Sequence, residues 1–462
     1  MRRRWTVLAA SLLLTGAACG TRADFTALPS PVETRTISEE IVGTGGVVKG
    51  TTASGPVTPV TRRIRTDLRT GSGIRNGTIK IGGLFPMSGG LSALGVPPAK
   101  AAQAYFRYVN DRGGINGLKI DFDVCDDKAD PNQSAACTDR LVNDDIFIMG
   151  PSFTPFSSNV VPILQRKGVP WVGYDGVNVE GFSSDIVVTV GAPIQTMGHA
   201  LLPYWYRQVE ARKGRAPKRL GVVYLDVAPA RTYVTEAKNT ICPKLGCEIV
   251  YEKRVTYFDL DYSTICLNLQ AANVDGAWIV TDPASAVKML VQCREAKYKP
   301  ELGGFLGQHG VYLDLTMEQS GSFADGMIAN SALMPPSVDN AAVRDMKRIV
   351  GTYEKNVDYG YFTALGYASA RLTVDVLTEA LKVDPKLTRA SVLKAAARMT
   401  SYQCHGLCKD VNLTPPAAVH GGNHYVWMVR SKFDRASPDQ WVLDGGPVDA
   451  WRSETWPRPG RP

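Results

Sequence analysis

Ile79-Lys-Ile-Gly-Gly-Leu84 is a short apolar run with the look of a buried strand, and Pro86-Met-Ser-Gly-Gly90 after it is a tight Gly/Ser loop. From Pro98 to Asn110, Ala101, Ala104, Tyr105, Tyr108 and Val109 fall at helical spacing, and Gly113-Gly114 supplies the left-handed residues that end a helix. The unit therefore reads strand, loop, helix. It repeats. Lys119–Val124 reads as a second strand, and Asp130-Pro131 is an N-cap followed by proline at the first helical position, opening a helix to about Val142. Ile146–Met149 and Val169–Val172 read as third and fourth strands. Alternating strands and helices at this spacing predict a parallel sheet with helices on both faces.

The pattern restarts at Arg219-Leu-Gly-Val-Val-Tyr-Leu225. A helix over 231–245, a strand over 248–251, a helix over 262–272, the strand Gly276–Val280 and a helix over 284–297 follow. The fold class is thus α/β, with two doubly wound parallel-sheet lobes. A long amphipathic stretch, 361–381, and a β-rich tail with Tyr425–Val429 and Trp441–Leu443 complete the body.

Toward the N-terminus the character changes. Arg2, Arg3 and Arg4 precede the apolar run Trp5–Leu14, and Gly16-Ala17-Ala18 lead to Cys19, the layout of an export signal. The run is too short to span a bilayer as an ordinary helix. Residues 20 to about 75 are rich in Thr, Ser, Gly, Pro and Arg and read as a flexible tether, with short strands around Thr36–Val42 left open. The chain of 462 residues carries 52 Lys and Arg against 44 Asp and Glu. Of these, 11 basic and 5 acidic residues lie in 1–75, which leaves the body nearly neutral. Without a basic stripe, a nucleic-acid partner is not expected.

Enzyme motifs are weak. Ser391-x-x-Lys394 has the Ser-Lys hydrolase spacing but lies in a helical run without companion motifs, so no catalytic residue is assigned. Setting Cys19 aside leaves eight cysteines in an exported chain, which is disulfide arithmetic. Sequence neighbours suggest Cys125–Cys137, Cys242–Cys247, Cys266–Cys293 and Cys404–Cys408, one choice among many. Cys404-His405 with Cys408 is only loosely metal-like, and neither metal nor cofactor is expected.

Several segments together resemble the type I periplasmic solute-binding proteins, the branched-chain amino-acid receptor family of ABC importers. They are Ile79–Gly89, Val109–Gly117, Asp126–Asn132, Gly150-Pro-Ser with Val161–Ile163, Phe323–Met327 and Tyr361–Tyr367. The Gly-Ala-Ala-Cys ending likewise resembles a bacterial lipobox, with Gly16 where the pattern prefers Leu. The resemblance implies a lipoprotein anchored outside the cytoplasm through Cys19. It implies a monomer whose lobes close on a small solute (an amino acid, amide or related polar solute) and hand it to an ABC permease. The same cleft serves equally in a ligand-sensing or scaffold lipoprotein. The expected boundaries are 1–18 signal peptide, 19–75 lipidated Cys19 and tether, 76–195 with 325–385 lobe 1, 196–324 with 386–450 lobe 2, and 451–462 disordered tail.

Residue by residue, the family serine that holds a ligand carboxylate falls on Thr154, after Phe153. The helper threonine falls on Val177, the second-lobe acid near His309, and the cleft tyrosines near Pro229 and on Asp282 or Pro283. Backbone amides at Ser88 and Gly89 meet ligand in this fold. The candidate ligand contacts are Ser88, Gly89, Phe153, Thr154, Tyr174, Asp175, Gly176, Asp226, Asp282 and His309. Each has a bland counterpart: Thr154 as a helix cap, Asp175 closing an Asx turn with Gly176, Asp226 and Asp282 as solvated carboxylates, His309 as a lone loop histidine.

Overall fold

The computed structural model describes residues 72–456 apart from Val177 and Pro438. The expectations for the signal segment, Cys19, most of the tether, Val177 and residues 457–462 lie outside the described residues.

The first sheet contains β1 (Ile74–Arg75), β2 (Thr78–Phe85), β3 (Lys119–Asp126), β4 (Ile148–Met149), β5 (Trp171–Val172) and β6 (Val187–Val188). Its parallel strands run in the order β3-β2-β4-β5-β6, and β1 adds an antiparallel pair on β2. The second contains β7 (Arg219–Leu225), β8 (Glu248–Val255), β9 (Gly276–Val280), β10 (Phe305–Gly307), β11 (Ile328–Ser331), β12 (Tyr425–Ser431) and β13 (Trp441–Asp449). There β8-β7-β9-β10-β11 are parallel, and β12 and β13 extend the sheet antiparallel. Both sheets therefore put their second strand outside their first and reverse direction of winding beside it, at β2/β4 and at β7/β9. Strands such as β9, buried along its whole length, need no polar alternation because helices cover both faces.

Local signals set the element ends. Asp130 accepts the Asn132 and Gln133 amides, each at 2.9 Å, and starts the helix Pro131–Asn143. The helix after the first loop begins at Ser92, earlier than expected, with Pro97 and Pro98 inside it.

Some expected boundaries shift. β11 belongs to the second sheet, whereas the sequence predicts 325–385 in lobe 1. The helix Arg389–Ala396, expected in lobe 2, packs on the lobe 1 helix Tyr361–Val383. Arg389 also donates to the Phe147 and Ile146 carbonyls at 2.8 and 2.7 Å, beside β4. Its buried face, with Val392, Ala395 and Ala396, has its apolar partner in the first lobe. The tail is ordered through 456: Ala450–Arg452 form a helical turn, and Thr455 is buried with its hydroxyl 2.9 Å from His199 Nδ1.

Among the described residues three disulfides are formed, Cys125–Cys137, Cys266–Cys293 and Cys404–Cys408. The expected Cys242–Cys247 bond is not. Gly246 turns left-handed at the end of the helix Cys242–Leu245, and the Cys247 amide closes that end on the Cys242 carbonyl at 2.9 Å. The two thiols are hydrogen-bonded neighbours, and that contact together with burial raises the Cys242 thiol well above the ordinary range.

The chain crosses between lobes after β6, after β11 and before β12. One buried side chain ties the three crossings. Asn423 Nδ2 donates to the Val190 carbonyl at 2.7 Å and the Ala332 carbonyl at 2.8 Å, while its Oδ1 accepts the Tyr425 amide at 3.1 Å. Asn423→Ala strands two buried carbonyls, so the expected loss is roughly 2–4 kcal/mol in urea unfolding. Asn423→Asp, which cannot donate, should lose at least as much. A loss below about 0.5 kcal/mol, the range of an ordinary surface substitution, would mean the crossings are held elsewhere.

Candidate functional site

Where the two sheets' carboxyl ends converge, a cavity of about 80 Å³ opens between the lobes. Lobe 1 contributes Leu91 and Leu94 from the start of the first long helix, Phe153 and Pro155 after β4, and Phe362. Lobe 2 contributes Leu225 and Val227 at the end of β7, Tyr257 after β8, Val280, Thr281 and Asp282 after β9, and Gln308, His309 and Gly310 after β10. Ile194 closes it at the first crossing. Strand ends at the reversal of sheet order are where open α/β sheets leave a crevice. The walls are mainly apolar, more so than the expected polar solute implies.

Three polar side chains matter. Asp282 caps the helix Pro283–Glu295, its Oδ1 accepting the Ser285 amide at 3.1 Å. Its Oδ2 is buried without a hydrogen-bond partner. The Tyr257 hydroxyl is likewise buried and unpartnered. Burial raises the Tyr257 phenol, and the charges of Asp282 from its own lobe and Asp127 from the other raise it further. His309 packs edge-on to Tyr361 and near Phe362, and burial pushes it down to about 3, so its imidazole is neutral. Gln308 fixes its tautomer. Gln308 Oε1 accepts from the Tyr233 hydroxyl at 3.1 Å, which turns Nε2 toward His309 Nδ1 at 2.9 Å and leaves the proton on His309 Nε2.

Of the residues read from sequence, Phe153, Asp282 and His309 line this cavity, as does Pro229, near which a family cleft tyrosine falls. The other candidate contacts lie elsewhere. Ser88 is exposed, and its Oγ donates to Asp126 Oδ2 at 2.6 Å. The Met87, Ser88 and Lys128 amides all point at Asp126 Oδ1, at 2.8, 3.3 and 2.9 Å, so the first loop's donors already hold an internal carboxylate. That hydrogen bonding keeps Asp126 below the usual carboxylate range against its partial burial. Gly89 adopts φ +81 in the same loop. Thr154 is fully buried, its hydroxyl 3.4 Å from Ser134 Oγ and accepting the Phe156 amide. Ser134 in turn donates to Asp127 at 2.8 Å. Tyr174 is core: it packs on Trp171, and its hydroxyl accepts the Asn178 amide at 3.0 Å. Asp175 is buried next to it, away from the cavity wall. Gly176, φ +78, sits against the Gly191 backbone, where a Cβ would come within 2.9 Å. Asp226 is paired with Arg231 at 2.8 Å on the surface.

Leu91, Leu94, Ile194, Tyr257, Gln308 and Phe362 were missed. The signal was available for some. Tyr257 follows a parallel strand at its carboxyl end, and Phe362 lies in the Tyr361–Tyr367 segment quoted above.

Residues 78–436 match the family model described as periplasmic binding protein. The chain belongs to the type I periplasmic binding proteins, in the branched-chain amino-acid receptor family. These are solute-binding proteins, not enzymes. Leu/Ile/Val-binding protein homolog 7 of Brucella abortus (strain 2308) is 24% identical over 338 residues, 71% of this chain and 83% of the relative. The Leu/Ile/Val-binding protein of Escherichia coli (strain K12) is 24% identical over 255 residues, 54% of this chain and 66% of the relative. Among solved structures, a fatty acid ABC transporter substrate-binding protein from Thermomonospora curvata superposes with TM-score 0.73 at 19% identity, covering 84% of this chain and 97% of that one. A branched-chain amino acid ABC transporter structure from Thermus thermophilus with bound valine gives 0.69 at 17%, covering 80% and 95%. Both share the fold.

In this periplasmic binding protein the lobes touch across the cavity mouth. A Cβ on Gly90, in lobe 1, would lie 2.8 Å from the Tyr257 side chain of lobe 2. Gly90→Val should hold the lobes apart while leaving each folded, seen as a larger radius of gyration by small-angle scattering with unchanged circular dichroism. An unchanged radius would show that this contact does not limit closure.

His309 yields a second prediction. Its folded pKa of about 3 lies below its ordinary 6.5, so the unfolded chain takes the proton first. The stability it permits is complete above about pH 6.5 and is lost as pH falls toward 3. Between pH 7.5 and 5 the wild type should lose roughly 2 kcal/mol more than His309→Gln in chemical denaturation. Parallel losses would place His309 in contact with solvent.

Proposed function

We propose that this protein captures a small, largely apolar solute between its lobes and delivers it to an ABC-type permease, from a membrane anchor at lipidated Cys19. The observation that carries the reading is the cavity with walls from both lobes at the strand ends. A solute there contacts both halves only when they are closed, so binding shifts the open–closed equilibrium toward closed. The closed shape is then what a permease can read.

The relatives' names support transport of amino-acid-like solutes. The aliphatic walls, Leu91, Leu94, Ile194, Leu225 and Val280, suit a branched hydrocarbon body. The family's extracytoplasmic setting agrees with the disulfides. No helix among the described residues is long and apolar enough to cross a membrane, so attachment would rest on the segment around Cys19.

The test is a thermal-shift screen of small solutes on the protein, followed by scattering with any hit. A solute of the site should raise stability by about 2.7 kcal/mol at a hundredfold excess over its Kd and compact the molecule. A hit that stabilises without compaction, or equally in Gly90→Val, would remove the cleft from the mechanism. Cys19→Ala should release the folded protein from the membrane fraction, and its retention there would refute the anchor.

A further inference from the structure

Among the described residues that line the mainly apolar cavity Asp282 is the one acid, and two of the local means of holding an anion are already in use. Two features of this fold attract a ligand's negative charge: the amides of the loop after the first strand, and the amino terminus of a helix that follows a strand. In the first lobe those amides hold Asp126. In the second, the helix Pro283–Glu295 is capped by Asp282 through Ser285. These two devices each have an internal carboxylate; the helix Ala228–Glu236, whose start also lines the cavity, has no side-chain cap.

No compensating cation is at hand. Among the described residues that line the cavity there is no lysine or arginine. His309 is kept neutral by burial. The acid remains. Asp282, 2% exposed, carries its Oδ2 buried and unpartnered at the cavity wall. A ligand carboxylate would enter an apolar space facing like charge, without a counter-ion, which is the costliest combination for a buried ion. A ligand N–H or ammonium would instead meet the open acceptor on Asp282, and the Tyr257 hydroxyl is free to donate or accept beside it.

Resting on the reading of this cleft as a solute site, we infer that the solute presents a hydrogen-bond-donating, non-anionic head, an amine or amide, to Asp282 and carries no free carboxylate. Its apolar body lies against Leu91, Phe153 and Phe362. The assignment departs from the fatty acid and the valine named for those two proteins, an acid and a zwitterion.

The experiment is calorimetric titration with four compounds sharing one branched body: isopentylamine, isovaleramide, isovalerate and leucine. The amine or the amide should bind at least about thirtyfold more tightly than isovalerate and leucine. Asp282→Asn and Asp282→Ser both keep a good N-cap, so both should fold. Each should weaken the amine by about tenfold or more and level the series, while Asp226→Asn, on the surface, should change nothing. Tighter binding of isovalerate or leucine overturns the inference and leaves the cleft standing as a solute site. So does a series unaltered by both Asp282 substitutions. Absence of binding by all four also overturns it; only the further absence of any stabilising solute in the broad screen takes the cleft reading with it.

Discussion

Three peptide segments cross between the lobes, and none of them is long enough there to satisfy its backbone within a sheet. A buried carbonyl left without a donor costs about as much as a lost hydrogen bond, so the crossings need a partner. Asn423 supplies it. Its two N–H groups reach one carbonyl on the first crossing and one on the second, and it sits itself on the third. Only a primary amide has two donors on one atom and an acceptor beside it, and the acceptor here starts β12 through Tyr425. The position of each lobe relative to the other follows from this clasp. Because the clasp lies near the end of β6 and the beginning of β12, the carboxyl ends of both sheets face each other across it.

What stands at those facing ends is a matter of which carboxylates are spoken for. Asp126 ends β3 and Asp282 follows β9, each at the carboxyl end of a parallel strand, and each accepts backbone amides. Asp126 is satisfied on both oxygens, and its donors bind the loop to β3. Asp282 is satisfied on one oxygen only. The first carboxylate therefore serves the architecture, and the second has capacity left for something in the cavity. Neutral His309, held by Gln308 and Tyr233, lines the same cavity without adding charge.

The sequence carried the α/β alternation plainly, since each strand–helix unit has its own apolar period and its own cap; Asp130-Pro131 and the run Arg219–Leu225 coincide with the structure. Lobe membership after residue 385 was less legible. The helix Arg389–Ala396 is short and its apolar residues fit any surface, and its place is decided by Arg389 finding carbonyls some 240 residues earlier in the chain. The site was legible in part for the same reason. Asp282 and His309 follow strands directly, so strand ends located them. Thr154 and Asp175 follow strands too, but both are buried off the cavity wall, and side-chain direction after a strand is set by tertiary packing that no spacing records.

The paired sheet orders explain why one small cavity serves a molecule of this size. In each lobe the winding reverses beside the first strand, so loops diverge there and leave a gap. Two such gaps, brought face to face, make a single space whose depth depends on how closely the lobes approach. That approach is limited where Gly90 meets Tyr257, a contact with no room for a Cβ. Tyr257 thus has two functions at once. Its side chain lines the cavity together with Asp282, and its hydroxyl is buried without a hydrogen-bond partner. A solute that satisfies the hydroxyl and Asp282 stabilises the same geometry in which Tyr257 abuts Gly90, so recognition of its polar head and closure of the lobes are the same event.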